Sequence, residues 1–218
     1  MIERQAKQDI DPSGRPAVTG VVLAGGNSSR MGANKALLKL AGRRLIERVV
    51  CALQNAFGRV MLVVNNFDDY RCLGLPMVSD VYPGRGPLSG IHAGLLHAKT
   101  PYIFVAACDL PLADARLARH MAALAPGSDV VIARSGGCLE PLFAVYSREC
   151  LAPVENLLRS GRRCRVVDFF PMVRIKYIDR ADFPPGIDAE RVFLNINTPA
   201  DLQRAGSYLP AGRECGRN

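Results

Sequence analysis

The sequence predicts an α/β fold in which a mostly parallel sheet lies between two layers of helices. Three observations predict it. Short apolar blocks alternate with stretches whose apolar residues recur at helical spacing. The 218 residues suffice for one large domain with a substantial buried core. The composition, 49% apolar and 22% charged, is that of an ordinary globular chain rather than a disordered or fibrous one.

Residues 1–17 read as a flexible N-terminal extension, with Asp11-Pro12-Ser13-Gly14 as a turn cluster. Val18 to Leu23 is an apolar run bounded by Gly25-Gly26 and reads as a buried strand. Leu45, Ile46, Val49, Val50 and Leu53 recur at helical spacing, and Val60 to Val64 is the next strand. A helix starts near Pro87, a residue suited to the first helical turn, and its apolar face carries Leu88, Ile91 and Leu95. Tyr102 to Ala107 is another buried strand, followed by a helix with Leu117, Met121 and Leu124. Val130 to Ile132 and Leu142 to Tyr146 give two further strands, the second a candidate for antiparallel pairing. Arg191 to Leu194 reads as a late strand, and Thr198-Pro199 opens a terminal helix with Thr198 as N-cap. Residues 18–207 are thus expected to form one domain and 208–218 a C-terminal tail. In a Rossmann-like sheet of this kind, ligands bind beyond the carboxyl ends of the strands. The informative loops are therefore those after Leu23, Val64, Val78 and Ala107.

Composition excludes several function classes. The longest apolar runs, such as Tyr102 to Cys108, are too short to cross a bilayer. The opening MIERQAKQDI is charged and lacks a signal peptide's apolar stretch, so a cytoplasmic protein is expected. Seven cysteines without a CxxC pair argue against a disulfide framework or a cysteine metal site, and Cys51, Cys108 and Cys150 read as buried thiols. The net charge of +8 is concentrated around Arg159, Arg162, Arg163, Arg165, Arg174 and Lys176, either as a solvated face or as a pocket for a polyanion. Aromatic residues are few and no nucleic-acid-binding motif is present, so nucleic acid is not the expected partner. His92, His97 and His120 are not spaced as metal ligands and read as packing or helix-surface residues.

The segment VVLAGGNSSRMGANKALLKL carries the first chemistry. A strand ends at Leu23, and Ala24, Gly25, Gly26, Ser28, Ser29, Arg30, Gly32 and Lys35 follow it. Glycines let backbone amides approach a phosphate closely and form an anion nest. Arg30 and Lys35 can follow charge as it builds on phosphate oxygens in a transition state. The segment lacks the Gly-Lys-Ser/Thr ending of a Walker A loop and is not a GxGxxG dinucleotide fingerprint. Asp109, just after the strand YIFVAA, can hold Mg²⁺ against nucleotide phosphates, or cap a turn before the next helix. Asn65, at the end of the second strand, can read a base edge through its paired donor and acceptor, or simply serve a turn.

The spacing LAGG-x3-RMG-x2-K resembles the signature of the NTP-transferase group that contains the sugar-phosphate nucleotidyltransferases, and most closely that of the molybdenum cofactor guanylyltransferases. Further motifs agree in the same order. ACDLPL is similar to the family's Cys-Asp-x-Pro element, with Ala107 where many relatives have Pro. GRGPLSG is similar to its Gly-Pro-Leu-Ala-Gly segment, with Ser89 for Ala. EPLFAVY and NINTPADL are similar to its Pro-Leu-x-Ala-x-Tyr strand and its Asn-x-Asn-Thr-Pro-x-Asp-Leu closing motif. The resemblance runs from about Val18 to Leu202.

The resemblance implies the fold of the nucleotide-diphospho-sugar transferases. It implies Arg30, Lys35 and Asp109 as catalytic residues, with Asp109 the Mg²⁺ ligand. It places Leu23, Ala24, Gly25, Gly26, Lys35, Asn65, Asp80, Gly86, Pro87, Leu88 and Asp109 at the nucleotide. It places Arg162, Arg163, Asn195 and Asn197 at the acceptor. Asp80 has a lesser reading as a loop carboxylate, and Asn197 with Thr198 reads equally as a helix cap. The implied substrates are GTP and molybdopterin or Mo-molybdopterin, with transient contact to proteins that mature molybdoenzymes. A monomer is expected, since no apolar stripe is left over once the core is assigned. The alternatives are a molybdopterin cytidylyltransferase, a sugar- or polyol-phosphate nucleotidyltransferase, and a non-catalytic carrier of nucleotide or cofactor.

Overall fold

A computed structural model describes residues 16–25 and 34–209 of the chain. Gly26 and Arg30 lie outside the described residues, as do residues 1–15 and 210–218 of the two expected tails. Among the described residues a seven-stranded sheet runs in the order β5-β4-β1-β6-β8-β7-β9. Its strands are β1 (Val18–Leu23), β4 (Arg59–Val63), β5 (Met77–Val78), β6 (Tyr102–Ala107), β7 (Val130–Ser135), β8 (Cys138–Ser147) and β9 (Ile175–Ile178), while β2 (Lys39–Leu40) and β3 (Arg43–Arg44) form a separate hairpin. Within the seven-stranded sheet β8 is antiparallel to both neighbours, β6 and β7, and the other pairings are parallel.

That topology positions the site. β1 has β4 on one side and β6 on the other, so the chain leaves β1 in one direction and returns on the other flank. Such a reversal opens a crevice at the carboxyl ends of the central strands. Because β8 runs backwards, its N-terminal half reaches the same edge.

The helices are α1 (Leu45–Ala56), α2 (Pro87–His97), α3 (Ala115–Ala123), α4 (Leu151–Arg159), α5 (Ala189–Val192) and α6 (Pro199–Ser207). α1, α3 and α5 cover one face through Ile46, Val49, Leu53, Leu117 and Met121, packed on Val22, Leu62, Phe104 and Val145. α2, α4 and the 3-10 turn Val166–Met172 cover the other through Leu88, Ile91, Val154 and Phe169, packed on Val21, Val63, Val105 and Tyr146. A third cluster joins Leu40, Leu45, Leu112, Ile196 and Ala205, and anchors α6 beside the hairpin. Local signals set the helix starts. The Glu47 carboxylate accepts from Arg44 N at 2.9 Å, Asp114 accepts from Arg116 N at 2.7 Å, and Thr198 accepts from Asp201 N at 3.2 Å. α2 begins at Pro87 after Gly86, whose φ of +72° is open to glycine without strain.

The strand expected over Arg191–Leu194 is absent. Asp188 accepts from Glu190 N and Arg191 N and starts the helical turn α5 instead. Leu194 then joins the third cluster rather than the sheet. Among the three thiols expected inside, Cys150 is buried, and Cys51 and Cys108 are half-buried. Among the described residues no helix is long and apolar enough to cross a membrane.

Candidate active site

A cleft of about 430 Å³ opens at the carboxyl ends of β1, β4 and β6. Its floor is the turn out of β1, Leu23-Ala24-Gly25, fixed when Ala24 N donates to Val63 O and Cys108 N donates to Leu23 O, both at 3.0 Å. One wall carries Asn65, Asp80, Gly84, Gly86, Pro87 and Gly90, from the ends of β4 and β5 and the start of α2. The other carries Ala107, Cys108 and Asp109 after β6, with Leu142 of β8. Asn34 and Lys35 close the remaining side.

Most of the nucleotide residues expected from sequence therefore converge. Leu23, Ala24, Gly25, Lys35, Asn65, Asp80, Gly86, Pro87 and Asp109 all line one cleft. Leu88 does not: it is fully buried in the core beneath α2, where its contribution is packing. Asn65 Nδ2 donates to Gly25 O at 3.1 Å, so the amide pins the backbone at the end of β1. A Cβ on Gly25 would stand 3.2 Å from that same Nδ2, so glycine is what lets the two strand ends close up.

The ionisable groups are arranged by burial. Asp109 Oδ1 is buried with no hydrogen-bond partner. Burial pushes the Asp109 carboxyl up, opposed by the positive charge of Lys35. Lys35 Nζ donates to Asn197 Oδ1 at 3.0 Å, and Ile196 N donates to Asp109 O at 2.9 Å. The closing segment Asn195–Asn197 is thus fastened to both sides of the Lys35–Asp109 pair. Asn195 is half-buried there and Asn197 is exposed. Asn197 N also donates to Asp201 Oδ2 at 2.9 Å, so the residue serves the start of α6 as well as Lys35. Burial raises the Asp80 carboxyl against the pull of Asn65. The Cys108 thiol is pushed up to about 12 by burial, which keeps it protonated at neutral pH and removes it as a nucleophile.

Arg162 and Arg163 are exposed in the turn after α4, outside the cleft lining. They are nonetheless held beside it. The Arg85 guanidinium donates to Gly161 O, and Arg85 sits between the lining residues Gly84 and Gly86. Tyr82 OH donates to Glu155 Oε1 at 3.2 Å, and Arg159 donates to the same carboxylate at 2.8 Å. His92 is buried against the Tyr82 ring, with centroids 5.1 Å apart, and burial lowers its affinity for a proton. It is a packing residue, as its place in α2 suggested.

Sequence reasoning did not single out Asn34, Tyr70, Arg85 or Glu140. Asn34 and Arg85 stand inside recognisable segments, and their polarity was the available signal. Tyr70 had none, because its hydroxyl reaches Ala24 O at 3.3 Å and Asn34 Oδ1 at 3.2 Å only in the folded chain. Glu140, two residues before Leu142, is raised to about 7 by burial.

An open α/β sheet with a lysine and a half-buried carboxylate facing one crevice at its reversal point suits an enzyme that handles nucleotide phosphates. The sequence from 20 to 173 matches the family described as the MobA-like NTP transferase domain. A probable molybdenum cofactor guanylyltransferase from Pelotomaculum thermopropionicum is 43% identical over 187 residues, 86% of this chain and 91% of that protein. The molybdenum cofactor guanylyltransferase of Vibrio cholerae is 32% identical over 213 residues, covering 96% of this chain and all of that protein (100%). The crystal structure of molybdopterin-guanine dinucleotide biosynthesis protein A from Archaeoglobus fulgidus superposes with a TM-score of 0.75 at 26% identity, over 87% of this chain and 97% of that one. The chain belongs to the MobA-like NTP transferase family. A 2-C-methyl-D-erythritol 4-phosphate cytidylyltransferase from Thermus thermophilus shares the fold, with a TM-score of 0.63 at 16% identity over 86% of this chain and 96% of that one.

Proposed function

We propose that this chain transfers GMP from GTP to molybdopterin, or to its molybdenum-loaded form, giving the guanine dinucleotide cofactor and pyrophosphate. The names of the relatives support that choice of substrates. The observation that carries the chemistry is the meeting of Lys35 and Asp109 across one cleft, each tied to the closing segment.

A terminal phosphate oxygen of the pterin attacks the α-phosphorus, the bond to the bridging oxygen breaks, and pyrophosphate leaves. The attacking phosphate is already anionic, so no strong base is needed and rate comes from alignment and charge stabilisation. Lys35, with Arg30 from outside the described residues, would neutralise the α-phosphate and the leaving group. Gly25 and Gly26 would let backbone amides approach the phosphates. Asn65 and Asp80, on the wall opposite Asp109, would meet the nucleoside. Asn195, Asn197, Arg162 and Arg163 would meet the acceptor, the two arginines through its phosphate.

Mg²⁺ fits the residues present. Asp109 Oδ1 is buried and lacks a partner, and an orphaned carboxylate oxygen in a phosphate cleft calls for a cation. Among the described residues no group of three or more His, Cys, Asp or Glu side chains could hold a metal. A single carboxylate supplemented by phosphate oxygens and water is what magnesium accepts. When bound, Mg²⁺ would supply charge neutralisation on the phosphates. We further propose that the protein works in the cytoplasm as a monomer, contacts molybdoenzyme-maturing proteins transiently and takes neither nucleic acid nor membrane as a partner.

The test is anaerobic pyrophosphate release with Mg²⁺ and fresh molybdopterin, comparing GTP with CTP. Release with GTP, weak with CTP and absent without pterin, is the expected result. A CTP preference would change the product. No release with either nucleotide, from folded protein that binds them, would overturn the reading.

A further inference from the structure

Tyr70 lies in the 3-10 turn Asp68–Leu73, and only 2% of it is exposed. Its ring belongs to the core cluster that also holds Ile46 and Val64, and its hydroxyl reaches toward the cleft floor. Asn34 Nδ2 donates to that hydroxyl at 2.9 Å. Two acceptors are within its own reach, Ala24 O at 3.3 Å and Asn34 Oδ1 at 3.2 Å. A phenol has one proton to give. Asn34 Oδ1 already accepts from Ala36 N at 3.2 Å, and the Asn34 amide is the group donating to the hydroxyl. Asn34 Oδ1 keeps a second lone pair, so the hydroxyl has both Asn34 Oδ1 and Ala24 O as acceptors within hydrogen-bond reach. The Tyr70 hydroxyl thus ties the Asn34 side chain to the Ala24 carbonyl. It joins the point where the backbone leaves β1 to the point where it returns at Lys35. Burial raises the Tyr70 hydroxyl above the usual phenol range, so it stays a donor at neutral pH.

We propose that Tyr70 is a positioning residue for nucleotidyl transfer: its hydroxyl fixes Ala24 and Asn34 relative to each other and so sets Lys35 against the reacting phosphates. This rests on the reading of Lys35 as the group that meets those phosphates. Tyr70 is not among the residues lining the cleft and acts through Asn34, whose side-chain oxygen also caps the 3-10 turn Lys35–Leu37. Displacement of a charged group by a fraction of an ångström is felt in the transition state more than in ground-state binding.

The test is Tyr70→Phe, which removes the hydroxyl and keeps the ring. Turnover is expected to fall about 10-fold or more while the Kd for GTP stays within about threefold. In a Lys35→Ala background the same change should cost less than about twofold, because the positioned group is gone. Hydrogen exchange of the free protein reads the tie without any acceptor. The Ala36, Leu37 and Leu38 amides should exchange about tenfold faster in the variant, with α1 unchanged. If Tyr70→Phe fails to fold, Asn34→Ser keeps a capping oxygen for Ala36 N but removes the amide that donates to the Tyr70 hydroxyl, and turnover should fall by a similar factor. Wild-type turnover in Tyr70→Phe, an equal loss in the Lys35→Ala background, or unchanged exchange would each overturn the proposal. If wild-type protein transfers no GMP to molybdopterin, it is the choice of acceptor that fails, and the exchange measurement still decides the role of Tyr70.

Discussion

Asp109→Asn should nearly abolish turnover and at the same time stabilise the ligand-free fold. The carboxylate has one oxygen buried without a partner, and burial pushes its proton affinity up despite Lys35. A carboxyl raised in the fold contributes stability below its unfolded pKa and loses it as pH rises through the folded value. At neutral pH the ionised group is therefore a net cost to the folded chain. An amide carries no net charge, so it escapes the charged part of that cost while its oxygen stays as stranded as before. Stranding a buried polar group costs about 1–3 kcal/mol. Asp109 is only half-buried by area and Lys35 offsets part of the cost, so a gain of about 1 kcal/mol is the reasonable size. For a chain of this length that raises Tm by about 2–4 °C. Loss of one preorganised charge-stabilising group costs about 10²–10³-fold in kcat. The two halves are measured by thermal unfolding in divalent-free buffer and by pyrophosphate release with GTP and molybdopterin. A variant that turns over within tenfold of wild type refutes the catalytic half, and a lowered Tm refutes the account of the buried oxygen.

Three further changes test other links. Gly94→Ala would place a Cβ 3.0 Å from Val21 Cγ1 and 3.2 Å from Ile103 Cδ1. Overpacking of about 1–3 kcal/mol, less about 1 kcal/mol of helix propensity, should lower the urea midpoint, and a raised midpoint would contradict the packing account. Asp129 is 8% exposed and accepts from Arg174 N at 2.9 Å, Nε at 3.1 Å and the guanidinium end at 2.9 Å, contacts that hold its carboxyl below the usual range. A depressed carboxyl gives stability that is present above its unfolded pKa and lost as pH falls through the folded one. Asp129→Ala should therefore cost about 2 kcal/mol at neutral pH, with the gap to wild type closing in acid, and a gap that persists down to about pH 2 would refute the linkage. Arg85→Ala frees the turn carrying Arg162 and Arg163, so KM for the acceptor should rise about fivefold with the Kd for GTP unchanged, and equal effects on both would sink the idea that this contact serves the acceptor side.

The central strands were legible because β1, β4 and β6 are covered on both faces and so read as continuous apolar blocks. The hairpin β2–β3 was not, since two-residue strands such as Lys39–Leu40 carry no period. The residues at 191–194 look like a strand, and only the local capping by Asp188 says otherwise. α4 has Leu151, Val154 and Leu158 at helical spacing, but the arginines that follow drew the reading toward charge. The site was legible to the extent that each residue stands at a strand end. In a parallel sheet those ends share one edge, so Gly25, Asn65, Asp80 and Asp109 meet without any pairing signal between them. Lys35 could be named but not its partner, because the bond to Asn197 spans 162 positions of sequence. Tyr70 was illegible for the same reason in stronger form: nothing near it marks the hydroxyl as more than the polar tip of a core ring.

The motif GRGPLSGIHAGL shows how far a spacing can carry and where it stops. Read as a nucleotide element, it assigns Gly86, Pro87 and Leu88 to the ligand together. The helix separates them, because successive side chains on α2 point about 100° apart. Gly86 and Pro87 stay at the rim while Leu88 turns into the core. Gly90 belongs to both sides at once. It lines the cleft, yet a Cβ there would stand 3.0 Å from Leu23 Cδ2, on the last residue of β1. Gly94, one turn on, makes the same demand against Val21. The two glycines let α2 lie close on β1, and that approach brings the start of α2 up to the turn that forms the cleft floor. Packing of the helix and shape of the nucleotide site are here a single geometric requirement, which is why a motif recognised for its ligand also predicts where the core tolerates no methyl group.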